Sequence, residues 1–139
     1  MKSKTILKGK VKTGKGHFSW VFENIEGLWD LYNKKSKLNL IPGSLNLELD
    51  HEFSIPSGST RIEAHEYNGT VSASFYPCKV GHLNGIISRA DNNEKGIGAH
   101  PRKIIEIAAE KKLRDELDLG DGDEVIVTNQ DHEANVGAW

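Results

Sequence analysis

Apolar residues along this chain fall into short runs that alternate with polar ones, and glycines mark the breaks between runs. Thr5 to Val11 alternates loosely around Ile6 and Val11 and stops at Thr13-Gly14-Lys15-Gly16, after which Phe18, Trp20 and Phe22 alternate with His17, Ser19 and Val21. The pattern predicts a strand, a glycine turn and a second strand. Asn24 is placed to cap a short helix with Ile25, Leu28, Trp29 and Tyr32 on one face, and the basic run Lys34, Lys35, Lys37 suits the helix C-terminus. Leu38 to Leu49 reads as extended, with a turn at Pro42-Gly43 and with Leu45, Leu47 and Leu49 alternating with Ser44, Asn46 and Glu48. Arg61 to Tyr67 and Thr70 to Tyr76 flank Asn68-Gly69, which predicts a type I′ hairpin because both turn residues tolerate positive φ.

His82 to Ala90 reads as another strand, and Asp91 to Gly98 as a polar loop. From Arg102 to Leu117 two periods compete: Ile104, Ile105, Ala108, Ala109, Leu113 and Leu117 suit a helix, whereas the β-branching of Ile104-Ile105-Glu106-Ile107 suits a strand. Asp121-Gly122-Asp123 is a turn, Glu124 to Thr128 a last strand, and the remainder to Trp139 has no pattern and reads as frayed. Six or seven short strands with one or two short helices make a mainly β chain that closes most readily into a small barrel.

Composition narrows the class. A chain of 139 residues fits one domain, taken as 1–129 with a C-terminal tail at 130–139. With 18 basic and 20 acidic residues, the net charge of -2 offers a polyanion no broad positive field, so generic nucleic-acid or membrane-surface binding is disfavoured. A monomer is the expectation carried alongside. The single cysteine, Cys78, excludes an internal disulfide and a thiolate metal site, which fits a reducing compartment and predicts a cytoplasmic protein. The lysine-rich first residues lack the apolar run of a signal peptide, and no later run approaches a membrane span.

Three segments carry candidate chemistry. Thr13-Gly14-Lys15-Gly16-His17 lies between two predicted strands and so lacks the helix N-terminus that Walker and dinucleotide loops use. Its consecutive backbone N–H groups can still form an anion nest, with charge from Lys15 or His17; the competing reading is a plain hairpin turn. Alternation places the Ser44 hydroxyl and the Asn46 carbonyl on one face, a pair of neutral oxygens suited to magnesium, or else merely the solvent face of a strand. Glu106 sits among isoleucines, where partial burial raises a carboxyl pKa and equips it to accept a hydroxyl proton. Lys111, Lys112 and Arg114 follow it and suit a phosphate, or form an ordinary solvated charge run. The six histidines lack metal-ligand spacing, so no zinc is assigned, and Cys78 has no paired base and reads as a buried inert thiol.

Taken in order, these segments resemble the CTP-dependent riboflavin kinases of archaea. The likeness runs from Gly9-Lys10-Val11 and Thr13-Gly14-Lys15-Gly16, through Pro42-Gly43-Ser44-Leu45-Asn46-Leu47-Glu48-Leu49, to Ile104-Ile105-Glu106-Ile107, Lys112-Leu113-Arg114 and Asp121-Gly122-Asp123. It implies a six-stranded cradle-loop barrel that moves the terminal phosphoryl of CTP to the 5′-hydroxyl of riboflavin, giving FMN and CDP. It also implies nucleotide contacts at Gly14, Lys15, Gly16, His17, Phe18, Ser19 and Trp20 and at Lys111, Lys112, Leu113 and Arg114. Magnesium would lie at Ser44 and Asn46, and flavin contacts at Gly98 and Glu106, with Glu106 as the catalytic group. The resemblance makes Lys103 to Ala108 a strand and Lys111 to Leu117 a short helix. The chain departs from the family pattern in having Ser44 for a threonine, His17-Phe18-Ser19 for a further glycine and arginine, Gly98 for a threonine and Glu110 for a proline. Those departures frame one alternative, a relative that binds flavin or nucleotide without turnover. Leu113-Arg114 through Leu119-Gly120-Asp121-Gly122-Asp123-Glu124-Val125 frames another, an AbrB-type DNA-binding barrel.

Overall fold

The computed structural model describes residues 4–13, 25–41, 45–97 and 101–130. Among them, seven strands form one antiparallel sheet: β1 (Lys4–Lys12), β2 (Leu45–Leu49), β3 (Thr60–Ile62), β4 (Ala73–Val80), β5 (Leu83–Ala90), β6 (Ile104–Ala109) and β7 (Glu124–Gln130). The order is β3-β4-β5-β6-β2-β1-β7, and β7 also pairs with β4, so six strands close into a barrel and β3 is left as an edge strand on β4. Pro77 lies where β4 passes from β3, paired up to Phe75, to β7, paired from Lys79; a residue with no N–H to donate is tolerated at such a change of partner.

Strict alternation divides the barrel into two apolar compartments. Leu45, Leu47 and Leu49 of β2, Ile105 and Ile107 of β6, Ile87 of β5 and Val127 of β7 point inward and form the main core. On the outer face, Phe75, Ile86 and Ala108 are covered by helix α1 (Leu28–Ser36), whose Leu28 and Tyr32 complete a second cluster with Ile62 and Leu40. The predicted helix is therefore present, with Leu28 and Tyr32 buried and Trp29 at the rim, where its indole N–H donates to the Leu40 carbonyl at 2.6 Å. Its start differs from the expectation at Asn24, which lies outside the described residues. Gly27, at φ 83°, is the N-cap, a left-handed backbone that admits glycine readily.

Two turns depart from the sequence reading. The strands on either side of Asn68-Gly69 do pair, Arg61 opposite Ser74, but no two-residue hairpin joins them. A 3-10 turn over Ala64–Tyr67 intervenes, and Asn68 uses its positive φ of 59° to close that turn. The tight hairpin lies instead between β4 and β5, where Val80 faces Leu83 across Gly81 and His82. Gly81 has φ 61° and His82 does not join it in the positive region, as a type II′ turn requires. The contested segment resolves as β6 followed by α3 (Leu113–Glu116), and the polar stretch after β5 opens with one helical turn, α2 (Asp91–Glu94). The last strand runs two residues beyond Thr128, with Gln130 paired to Lys4. The predicted strand over His17–Phe22 and the Pro42-Gly43 turn lie outside the described residues. No helix among the described residues is long and apolar enough to cross a membrane.

Candidate functional site

A row of residues crosses the outer face of the sheet. Asn46 of β2 stands opposite Glu106 of β6, which stands opposite Ser88 of β5. Because the neighbours Leu45, Leu47, Ile105, Ile107 and Ile87 face the core, these three side chains face outward, onto the side that α1 covers. Glu106 and Ser88 line a cavity of about 380 Å³, within the range of small-molecule sites, and Asn46 stands one strand away, opposite Glu106. Glu106, Ser88 and Asn93 supply polar lining; Ile25, Leu28, Ile62, Val71 and Ile104 supply apolar walls. The cavity is thus amphipathic, with a carboxylate at one place and a hydrocarbon surface around it.

Two groups in this row carry information. Asn46 is buried, 8% exposed, so it is no solvent-face residue, and its Oδ1 has no hydrogen-bond partner among the described residues. A buried carbonyl oxygen without a donor costs about 1–3 kcal/mol unless a cation or ligand group meets it. That oxygen fits a hard-metal ligand of the kind magnesium takes. Tyr32 of α1 reaches down to the row, its hydroxyl 2.8 Å from Ser88 Oγ. Burial pushes the Tyr32 phenol up to about 12, against the lowering effect of the Ser88 hydrogen bond, so it stays a neutral donor beside Glu106.

The cavity is braced at its edges. Arg61 Nη1 and Nη2 grip Asp91 at 2.7 and 2.8 Å, and Nη1 also donates to Ser74 Oγ at 2.9 Å, which ties α2 to β3 and β4. Arg61 holds the Asp91 carboxyl below the usual carboxylate range, chiefly by those hydrogen bonds. Lys35, near the end of α1, donates to the Arg61 carbonyl and to Glu66 Oε2, each at 2.7 Å, and so pins the helix to the β3–β4 connection. At the barrel end Arg89 is nearly buried, donating to the carbonyls of Phe53, Arg102 and Ile104 and pairing with Glu94 at 2.9 Å. Its charge is compensated on every side, which marks it as a structural tie.

The second predicted segment lies at the other end of β6. Lys111 and Lys112 are exposed, Arg114 is half-buried, and Leu113 turns its side chain into the barrel core. Arg114 Nη2 meets Asp121 Oδ1 at 2.8 Å, and Asp121 Oδ2 accepts from the Thr13 hydroxyl. Thr13 directly precedes Gly14, so one carboxylate joins the base of the glycine segment to the Lys111–Arg114 segment. Backbone bonds reinforce the junction, from Val11 N–H to the Asp123 carbonyl at 2.9 Å and from Gly122 N–H to the Val11 carbonyl at 2.8 Å. Glu110, in place of the family proline, accepts from the Asn39 N–H at 2.9 Å.

Of the sequence-predicted residues, Asn46 and Glu106 are brought together, and Lys111 to Arg114 lie in one segment that exposes Lys111 and Lys112 and buries Leu113. Gly14, Lys15, Gly16, His17, Phe18, Ser19, Trp20, Ser44 and Gly98 lie outside the described residues. Sequence reasoning missed Tyr32, Ser88 and Tyr67, which read as ordinary helix, strand and hairpin positions. Cys78 is buried in the core, and burial pushes its thiol up to about 12, consistent with the inert role expected.

Residues 11–128 match the family model of the CTP-dependent riboflavin kinase domain, described as "Domain of unknown function DUF120". The chain belongs to the CTP-dependent riboflavin kinase family. Similar curated proteins include the riboflavin kinase of Methanocella arvoryzae, 32% identical over 88% of this chain and 56% of that protein. That of Methanosarcina barkeri is 30% identical over 87% and 55%, and that of Pyrobaculum arsenaticum 28% identical over 87% and 59%. The chain therefore spans a little over half the length of these relatives.

Proposed function

We propose that this chain is a CTP-dependent riboflavin kinase, a phosphotransferase acting on an alcohol. The observation that carries the proposal is the alignment of Asn46, Glu106 and Ser88 in one cross-strand row, with Glu106 and Ser88 lining an amphipathic cavity and a buried Asn46 oxygen that has no partner among the described residues. In this reading the isoalloxazine body takes the apolar part of the cavity, and the ribityl 5′-hydroxyl comes to Glu106. Glu106 orients that hydroxyl and receives its proton as the oxygen bonds to the terminal phosphorus of CTP. The bond from that phosphorus to the bridging oxygen breaks, and CDP leaves.

Ser44 and Asn46 would hold Mg2+, which neutralises phosphate charge when bound. Backbone N–H groups of Gly14–Gly16 and the segment to Trp20, together with Lys111 to Arg114, would hold the triphosphate. Such a division suits phosphoryl transfer, where the loose transition state asks mainly for positioning and donors. Gly98 offers the flavin only backbone groups. The proposal includes a monomer in the cytoplasm with riboflavin/FMN and CTP/CDP as partners and no nucleic acid. Closure of the barrel within one chain, β4 to β7, gives no support to an AbrB-type dimeric DNA binder.

The test is FMN formation from riboflavin with Mg2+ and each nucleoside triphosphate in turn, on the wild type and on Glu106→Gln. CTP should support turnover, and the substitution should lower kcat by about 100-fold or more. Wild-type protein that binds both substrates and forms no FMN would favour the non-catalytic relative.

A further inference from the structure

One wall of the outer cavity comes from a single stretch, Tyr67 to Val71, in the connection between β3 and β4. Tyr67 is unusual there because its ring is fixed at both ends. Its hydroxyl donates to the Val71 carbonyl, and a Cβ added at Gly69 would lie 2.0 Å from ring carbon Cε2 and 2.5 Å from Cζ. The ring thus fills the space that a side chain at residue 69 would need. Around it the connection is rigid: Gly69 N–H donates to the Ala64 carbonyl at 2.8 Å, Glu63 and Glu66 form a reciprocal cap on the 3-10 turn, and Lys35 locks Glu66 to α1. The ring also packs against the cluster of Leu28, Tyr32 and Ile62, which holds it in place at the cavity wall.

The wall faces an amphipathic space. Ser88 and Glu106 give it a hydrogen-bonding end, and Ile25, Leu28 and Ile104 give it hydrocarbon surface. The occupant that fits is a planar aromatic body carrying a hydroxylated chain. We propose that Tyr67 is a specificity-determining residue that stacks on the tricyclic ring of the flavin. This inference rests on the riboflavin kinase reading and adds to it the residue that selects the ring. A clamped ring loses little freedom on binding, so its contact converts into affinity efficiently.

The experiment is a fluorescence titration of riboflavin with the full chain, since a stacked phenol quenches flavin emission and a phenyl ring does so much less. Wild-type protein should quench on binding. Tyr67→Phe should keep the dissociation constant within about threefold while restoring much of the emission. Tyr67→Ala should raise the constant at least about fivefold with the KM for CTP unchanged. Gly69→Ala should act in the same direction, because the methyl displaces the ring with no left-handed backbone to strain. If wild type binds and quenches, yet Tyr67→Phe stays as dark and the other two bind as tightly, the inference is overturned while the kinase reading stands. If wild type binds no riboflavin, both fall.

Discussion

Asp121 and Arg114 form an ion pair of 2.8 Å, and the second oxygen of the same carboxylate takes the hydroxyl of Thr13. This carboxylate fixes the spacing between the two segments assigned to the nucleotide. Asp121→Asn keeps the shape and removes the charge, so the KM for CTP should rise about three- to tenfold while the dissociation constant for riboflavin stays put. Steady-state kinetics with each substrate varied would separate the two effects.

The same junction has a defined pH dependence. The Thr13 hydrogen bond, and then that of Arg114, hold the Asp121 carboxyl below the usual carboxylate range. A depressed pKa means the charged form is favoured by folding, so the tie is complete above the ordinary carboxylate pKa and is lost as pH falls through the lowered value. The KM for CTP should therefore be insensitive to this group around neutrality and rise only in acid. A titration step assigned to Asp121 by NMR at or above the ordinary carboxylate value would contradict the geometry.

Asn46 presents a case in which stability and activity should diverge. Its buried Oδ1 has no partner among the described residues, so Asn46→Val removes an unsatisfied polar atom and places a good strand former in β2. Unfolding stability should hold or rise by about 1 kcal/mol, while turnover with Mg2+ falls about 100-fold or more. Urea unfolding alongside the FMN assay reads both. A variant that loses stability and keeps its turnover would make Asn46 a structural residue.

Much of this was legible from alternation alone. Leu45, Leu47 and Leu49 announced an inward face, whereas the run around Glu106 suited a helix as well as a strand until the family resemblance made it a strand, and only the fold pairs it with β2. What alternation cannot express is which outward face is covered. Asn46 looked equally suited to solvent because the packing of α1 over Phe75, Ile86 and Ala108 is a tertiary fact, with no local signal in β2. The Asn68-Gly69 dipeptide misled for a related reason: positive φ is a property that a 3-10 turn's end needs as much as a hairpin does. Gly81-His82 carried the tight turn with weaker chemistry, its glycine at the first central position. Ser88 and Tyr32 were invisible as a pair, being 56 residues apart and joined only by the fold.

Gly85 tests how closely the site depends on strand spacing. A Cβ there would lie 2.5 Å from the Ala108 carbonyl oxygen, on the strand that carries Glu106. Gly85→Ala must push β5 from β6 or tilt the carbonyl, at about 1–3 kcal/mol of stability. The displacement is passed along the register to the Ser88–Glu106 pair, so kcat should fall in the protein that remains folded. Thermal unfolding together with kcat per folded molecule would show it.

In the proposed reaction riboflavin occupies the outer cavity beneath α1 with its 5′-hydroxyl at Glu106. A crystal structure of the full chain with riboflavin, CDP and Mg2+ tests it most directly. The account predicts the isoalloxazine ring between α1 and the β3–β4 connection, the 5′-oxygen within hydrogen-bonding distance of Glu106, and the metal on Asn46. A flavin bound elsewhere, such as at the barrel end beside Lys111 to Arg114, with the cavity filled by water, would contradict it.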